Sequence, residues 1–106
     1  MMGSTAKMQN ELASIESDMV DGIQDSETPE EAGEVVAKAV TKLKKLNITK
    51  LDDEYQTAIK DYIAALQKWS VAFKRGDLVK ADQYDDERLD AASRLNEIMK
   101  RKGRYN

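Results

Sequence analysis

Leu51, Tyr55, Ala58, Tyr62, Ala65, Trp69 and Ala72 recur at alternating spacings of four and three. That period puts all seven side chains on one side of an α-helix and on neither side of a strand. Ile59, Leu66 and Phe73 lie on the neighbouring row and widen the stripe, so a helix over about 50–74 carries the broadest apolar face in the chain. A face of that width has to be covered, and in a chain of 106 residues the cover comes from the remaining segments of the same single core.

The other segments repeat the helical period. Met8, Leu12, Ile15, Met19 and Ile23 form a narrow stripe that predicts a helix over 5–23. Ala32, Val35, Val36, Ala39, Val40, Leu43 and Leu46 predict one over 29–46. Its start is marked three times: Thr28 as N-cap, Pro29 at the first helical position, and Glu31 three residues on to complete a capping box. Its stop is expected at Asn47, in the left-handed conformation, with Ile48 folding back on Leu43. The long third helix should end at Arg75-Gly76-Asp77, Gly76 taking the left-handed position and Asp77 capping the next helix. A fourth helix over 78–101 then presents Leu78, Ala81, Tyr84, Leu89, Ala92, Leu95, Ile98 and Met99. Four amphipathic helices joined by short breaks predict an all-α, four-helix, up-and-down antiparallel bundle.

Composition removes much chemistry. With no Cys and no His, a Cys/His zinc site, a haem held by either residue, a Ser-His-Asp triad and a cysteine nucleophile are excluded. A formal net charge of −3 from 17 basic and 20 acidic residues is too weak for a nucleic-acid coat or mimic, so no nucleic-acid partner is expected. No apolar run reaches the length of a membrane span, and residues 1–10 lack the pattern of a signal peptide. The opening Met1-Met2-Gly3-Ser4 is compatible with a removed leader, which leaves the compartment open between the cytosol and the periplasm or exterior, with membrane anchoring only through such a leader.

Charge is sorted along the chain. Nine acidic residues and one basic precede Ala37, and five basic residues with no acidic one occupy 38–50. Much of this suits helix ends: Glu30, Glu31 and Glu34 open the second helix and Lys42, Lys44 and Lys45 close it. The first helix is acidic along its length, at Glu11, Glu16, Asp18, Asp21 and Asp25, and needs another account.

Four constellations bear on function. Asp82, Asp86 and Asp90 share one side of the fourth helix, a spacing open to an oxygen-only cation site, but they face away from the apolar arc and read as a solvated stripe. No metal or other cofactor is therefore expected. Arg88 falls near the middle of the apolar arc and Asp85 on its flank, as an internal ion pair or an anion site. Arg88 with Tyr55, Tyr62 and Trp69 forms the candidate ligand-binding set. The run Lys100-Arg101-Lys102-Gly103-Arg104 suits the basic last turn of a helix better than a phosphate-binding patch.

Residues 74–84, Lys74-Arg75-Gly76-Asp77-Leu78-Val79-Lys80-Ala81-Asp82-Gln83-Tyr84, are similar to the turn and second-helix start of a tetratricopeptide unit. The helix before them is too long for that unit and no 34-residue period is present, so a repeat array is not expected. The long Tyr/Ala/Leu helix, the Gly-Asp turn and the charged final helix together resemble small helical-bundle domains of bacterial secreted proteins and lipoproteins. That resemblance implies a fold and no functional residue. The expected role is non-catalytic protein binding on a helical face. Met8, Leu12, Ile15 and Met19 are expected at the bundle edge as the partner or self-association surface, because the first helix has a narrow, Met-rich stripe. A small-ligand or anion carrier, and a cation-dependent enzyme using carboxylates, are the alternatives.

Overall fold

Helix α2 (Pro29–Lys44) begins where its capping residues require. The Thr28 backbone is extended and its Oγ1 accepts the Glu31 N–H at 3.2 Å. The Glu31 carboxylate reaches back to accept the N–H of Glu27, the residue before the cap, at 2.9 Å, so one open donor of the helix and the backbone leading into it are held together. The computed structural model describes residues 4–103, and these form three further helices: α1 (Ser4–Asp25), α3 (Asp53–Lys74) and α4 (Leu78–Gly103).

The α3–α4 turn closes as expected. Gly76 has φ of 69°, its N–H bonds to the Phe73 carbonyl, and the Asp77 N–H bonds to the Ala72 carbonyl, both at 3.0 Å. This is a Schellman stop, and it fixes the reversal. Asp77 then caps α4 by accepting the Lys80 N–H at 3.1 Å. The α2–α3 connection differs from expectation. Asn47 does not adopt the left-handed conformation, since no residue other than glycine has positive φ among those described. Helix α2 stops earlier, at Lys44, with Lys45 as a right-handed C-cap. The Asn47 side chain instead accepts from the Thr49 backbone N–H and hydroxyl, at 3.3 and 2.8 Å. That local turn holds the chain out of a helix until Asp52 caps α3 through the Tyr55 N–H, so α3 starts at Asp53 and Leu51 precedes it.

The result is an all-α, four-helix, up-and-down antiparallel bundle in which each helix packs on its neighbour in sequence. Three ion pairs show the register of α3 against α4: Glu54 with Arg101, Asp61 with Arg94, and Lys68 with Glu87, the numbers rising on one helix as they fall on the other. Val36, Ile59, Leu66, Tyr55, Tyr62 and Leu95 are the largest fully enclosed side chains. Two glycines set how closely the helices approach. A Cβ at Gly33 would stand 2.9 Å from the Ser70 carbonyl oxygen and 3.0 Å from the Lys74 nitrogen, so the α2 and α3 backbones nearly touch there, and Ser70 Oγ donates to the Gly33 carbonyl at 2.7 Å. A Cβ at Gly22 would meet a Val35 methyl at 2.7 Å, which makes Gly22 a contact point of α1 on α2.

Two residues assigned to the buried face of α4 lie outside it. Leu78 is 55% exposed and Leu89 49%. Both fall on one flank of the helix, and α3 is the one neighbour with which α4 forms an extensive interface among the described residues. Nothing covers that flank as the sequence pattern assumed.

Candidate functional site

The structure gathers three of the four candidate ligand-binding residues into one cluster. Trp69 and Tyr62 line the inner face of α3, and Arg88 enters from α4 with its guanidinium carbon 4.5 Å from the centre of the Trp69 ring. Nε and Nη2 of Arg88 both donate to the same Asp85 oxygen, at 3.0 and 2.6 Å. Tyr62 donates its hydroxyl proton to Glu16 of α1 at 2.9 Å. Burial pushes the Tyr62 phenol well above its ordinary value, the adjacent Glu16 carboxylate pushes it further, and the Arg88 charge offsets only part of this. Tyr62 therefore acts as a neutral donor that ties α1 to α3. Tyr55 stands apart, two turns down α3, where its hydroxyl accepts from Gln9 at 3.2 Å; its phenol is also raised, chiefly by burial.

These contacts define what the cluster can do. The Arg88 charge is matched by Asp85 and its face is stacked on an indole, an arrangement that stabilises the packing of α4 on α3. An incoming anion would have to displace Asp85, which is tethered three residues away on the same helix. The cluster thus fits an internal fastening better than an anion carrier.

The expected partner surface on α1 takes a different place. Met8, Leu12 and Met19 are buried, at 5, 3 and 2% exposure, and Ile15 is partly buried against the same core. The narrow stripe is sufficient because its flanks are fastened by Gln9 to Tyr55 and Glu16 to Tyr62, and the unbranched Met side chains adapt to the core they enter. In the folded bundle Met8, Leu12 and Met19 are core, and Ile15 packs at its margin. Glu16 also accounts for part of the acidic character of α1. Asp82, Asp86 and Asp90 are exposed, and among the described residues no three acidic side chains converge as a metal site. Arg101 is engaged by Glu54, while Arg104 lies outside the described residues.

A second region was not singled out by the sequence. At the α3–α4 turn a groove of about 300 Å³ runs between the two helices. Its apolar lining is Val71, Ala72 and the Tyr84 ring, and its rim carries Lys68, Arg75 and Lys80, with Asp77 at the turn. Val71 is 46% exposed, and Val79, on the first turn of α4 next to Leu78, is 72% exposed. The signal was present in the order Leu78-Val79-Lys80: α2 and α3 open with Glu30, Glu31 and Asp53, Glu54, whereas the first turn of α4 has no acidic residue, two apolar ones and a cation.

No protein-family model, no curated protein and no solved structure matches this chain. Among the described residues no helix is long and apolar enough to cross a membrane.

Proposed function

We propose that this bundle is a non-catalytic protein-binding module and that its working surface is the α3–α4 end, with the core stripe of α1 serving to hold the bundle together. The observation that carries the reading is the concentration of exposed apolar side chains, Val71, Leu78 and Val79, on either side of one turn. Val71 lines the groove at that turn, and exposed apolar groups about a concave groove are the ordinary mark of a contact surface. The ionisable groups of the Trp69 cluster support the same reading, because Arg88 is paired with Asp85 and Tyr62 with Glu16 in contacts that hold helices together.

Site-specific photo-crosslinking tests this. A photoreactive residue at position 79 should join the protein to a partner in extracts of its native host, whereas one at the exposed Thr41 on α2 should not. The adduct at position 79 should disappear in Val71→Lys. Equal labelling at both positions, or an adduct unaffected by Val71→Lys, would place the working surface elsewhere.

A further inference from the structure

We infer that the groove between the end of α3 and the start of α4 receives an acidic protein segment, one that seats an apolar side chain over Val71, Ala72 and Tyr84 between carboxylates paired with Lys68, Arg75 and Lys80. The inference rests on the reading of this end as the binding surface and adds the chemistry of the partner.

Three observations converge on it. The first is charge. Lys68, Arg75 and Lys80 rim the groove against the single Asp77, in a protein whose net charge is −3. The Asp77 oxygen already serves the Lys80 N–H, and Lys68 is held only loosely, 3.7 Å from an exposed Glu87 carboxylate and 5.9 Å from the Tyr84 ring centre. The rim therefore presents positive charge outward, and a carboxylate-bearing partner is its complement.

The second is that the rim is built against local preference. Lys80 occupies the third position of α4, where the partial positive charge of the helix start repels a cation and favours an acidic side chain. Leu78 and Val79 take the two positions before it with their side chains mostly in solvent. Three adjacent choices that each work against the helix start mark a place selected for something besides folding.

The third separates a narrow partner from a broad anionic surface. The turn between α1 and α2 lies at the same end of the bundle, since Gly33 in the second turn of α2 abuts Lys74 at the end of α3. Glu27, Glu30 and Glu31 are exposed there. A lipid surface or a nucleic acid brought flat against this end would meet those carboxylates as well as the cations. A single helix or extended segment lying in the groove meets Lys68, Arg75 and Lys80 without reaching those three glutamates.

The test uses a fluorescent amphipathic peptide of about four helical turns with leucines on one face and glutamates elsewhere, and its counterpart with lysines replacing the glutamates. The acidic peptide should bind the whole chain and the basic one should not. Raising salt from about 50 to about 300 mM should weaken the acidic complex several-fold. Lys80→Glu should weaken it about tenfold or more while raising the melting temperature of the free protein, so the loss cannot be a folding defect. Equal binding of both peptides, or an acidic complex indifferent to Lys80→Glu, overturns the inference. Failure of the acidic peptide together with a Lys80-dependent gain in binding to phosphatidylserine vesicles, or in dimer by sedimentation, overturns it in favour of a lipid surface or a second copy. A position-79 adduct with a basic protein would leave the protein-binding reading intact and remove only this assignment of charge.

Discussion

Two helix starts sit at one end of this bundle and are built by opposite rules. Helix α2 begins with Thr28, Pro29, Glu30 and Glu31, a cap and two acidic residues, and one turn later Gly33 is clamped against the α3 backbone. Helix α4 begins with Asp77, an equally good cap, but continues with Leu78, Val79 and Lys80. The first start suits its own helix at every position. The second is properly stopped and capped, by Gly76 and Asp77, and then departs from what a helix start favours. Capping and surface chemistry are thus separable: the backbone reversal at 75–77 is fixed by folding, while the side chains displayed around it answer to another requirement.

The comparison presumes that both starts hang from one core, and Trp69 tests that first. Trp69 is 6% exposed, packs on Phe73 with ring centres 5.0 Å apart, and carries Arg88 over its ring. Trp69→Ala should cost about 3 to 5 kcal/mol, the range for emptying a large buried site. Denaturation followed at the Arg88 end and at α2 should shift together. Loss of the α3–α4 end alone would break the comparison, because the exposed side chains would then reflect a loose hairpin and not a displayed surface.

Gly33→Ala addresses the clamped start. The added methyl would press on the Ser70 carbonyl and the Lys74 nitrogen, both backbone atoms, so α2 and α3 must separate and the Ser70 bond to Gly33 must stretch. A loss of about 2 kcal/mol in chemical denaturation is expected, overpacking outweighing the gain in helix propensity. At Gly22 the obstacle is only the Val35 side chain, so Gly22→Ala should cost clearly less. Equal costs would mean that the α2 start is no more tightly held than any other helix contact.

These glycines also show what the sequence could and could not disclose. Helix periodicity, the Thr28-Pro29-Glu31 start and the Gly76-Asp77 stop are local patterns, and each appears in the structure at its own residues. The gathering of Arg88 and Asp85 beside Trp69 was legible too, because a helical wheel places them on the apolar arc. Gly22 could not be read as a contact point of α1 from the sequence, since that role depends on Val35 of the neighbouring helix. The α1 stripe looked too narrow for core because its fastenings, Gln9 to Tyr55 and Glu16 to Tyr62, each span 46 residues. Leu78 and Leu89 were counted as core because periodicity shows which side of a helix is apolar and not whether a neighbour arrives to cover it.

Gly76→Ala probes the reversal itself. A Cβ there would meet nothing within 4 Å, so the whole cost is that of holding a side chain at φ of 69°. A loss of about 1 kcal/mol is expected. The crosslinking pattern at position 79 should persist, because the turn retains its path. A neutral substitution would show that the turn is not pinned by its backbone, and the separation between a fixed reversal and a free surface would lose its basis.

The smallest expected effect is the most discriminating. Lys80→Glu places at the α4 start the residue type that α2 has at the same position, Glu31 three residues after its cap. The glutamate's charge faces the positive end of the helix, so stability should rise by about 0.5 kcal/mol. Most surface substitutions change stability less than this or lower it, which makes the sign the decisive quantity. A gain would mean that the natural lysine is kept at a cost to the fold, as expected of a residue retained for contact with a partner. A loss would mean that Lys80 contributes to the folded state through its place beside Tyr84 and Asp77, and the two helix starts would differ only in the means by which each stabilises the same bundle.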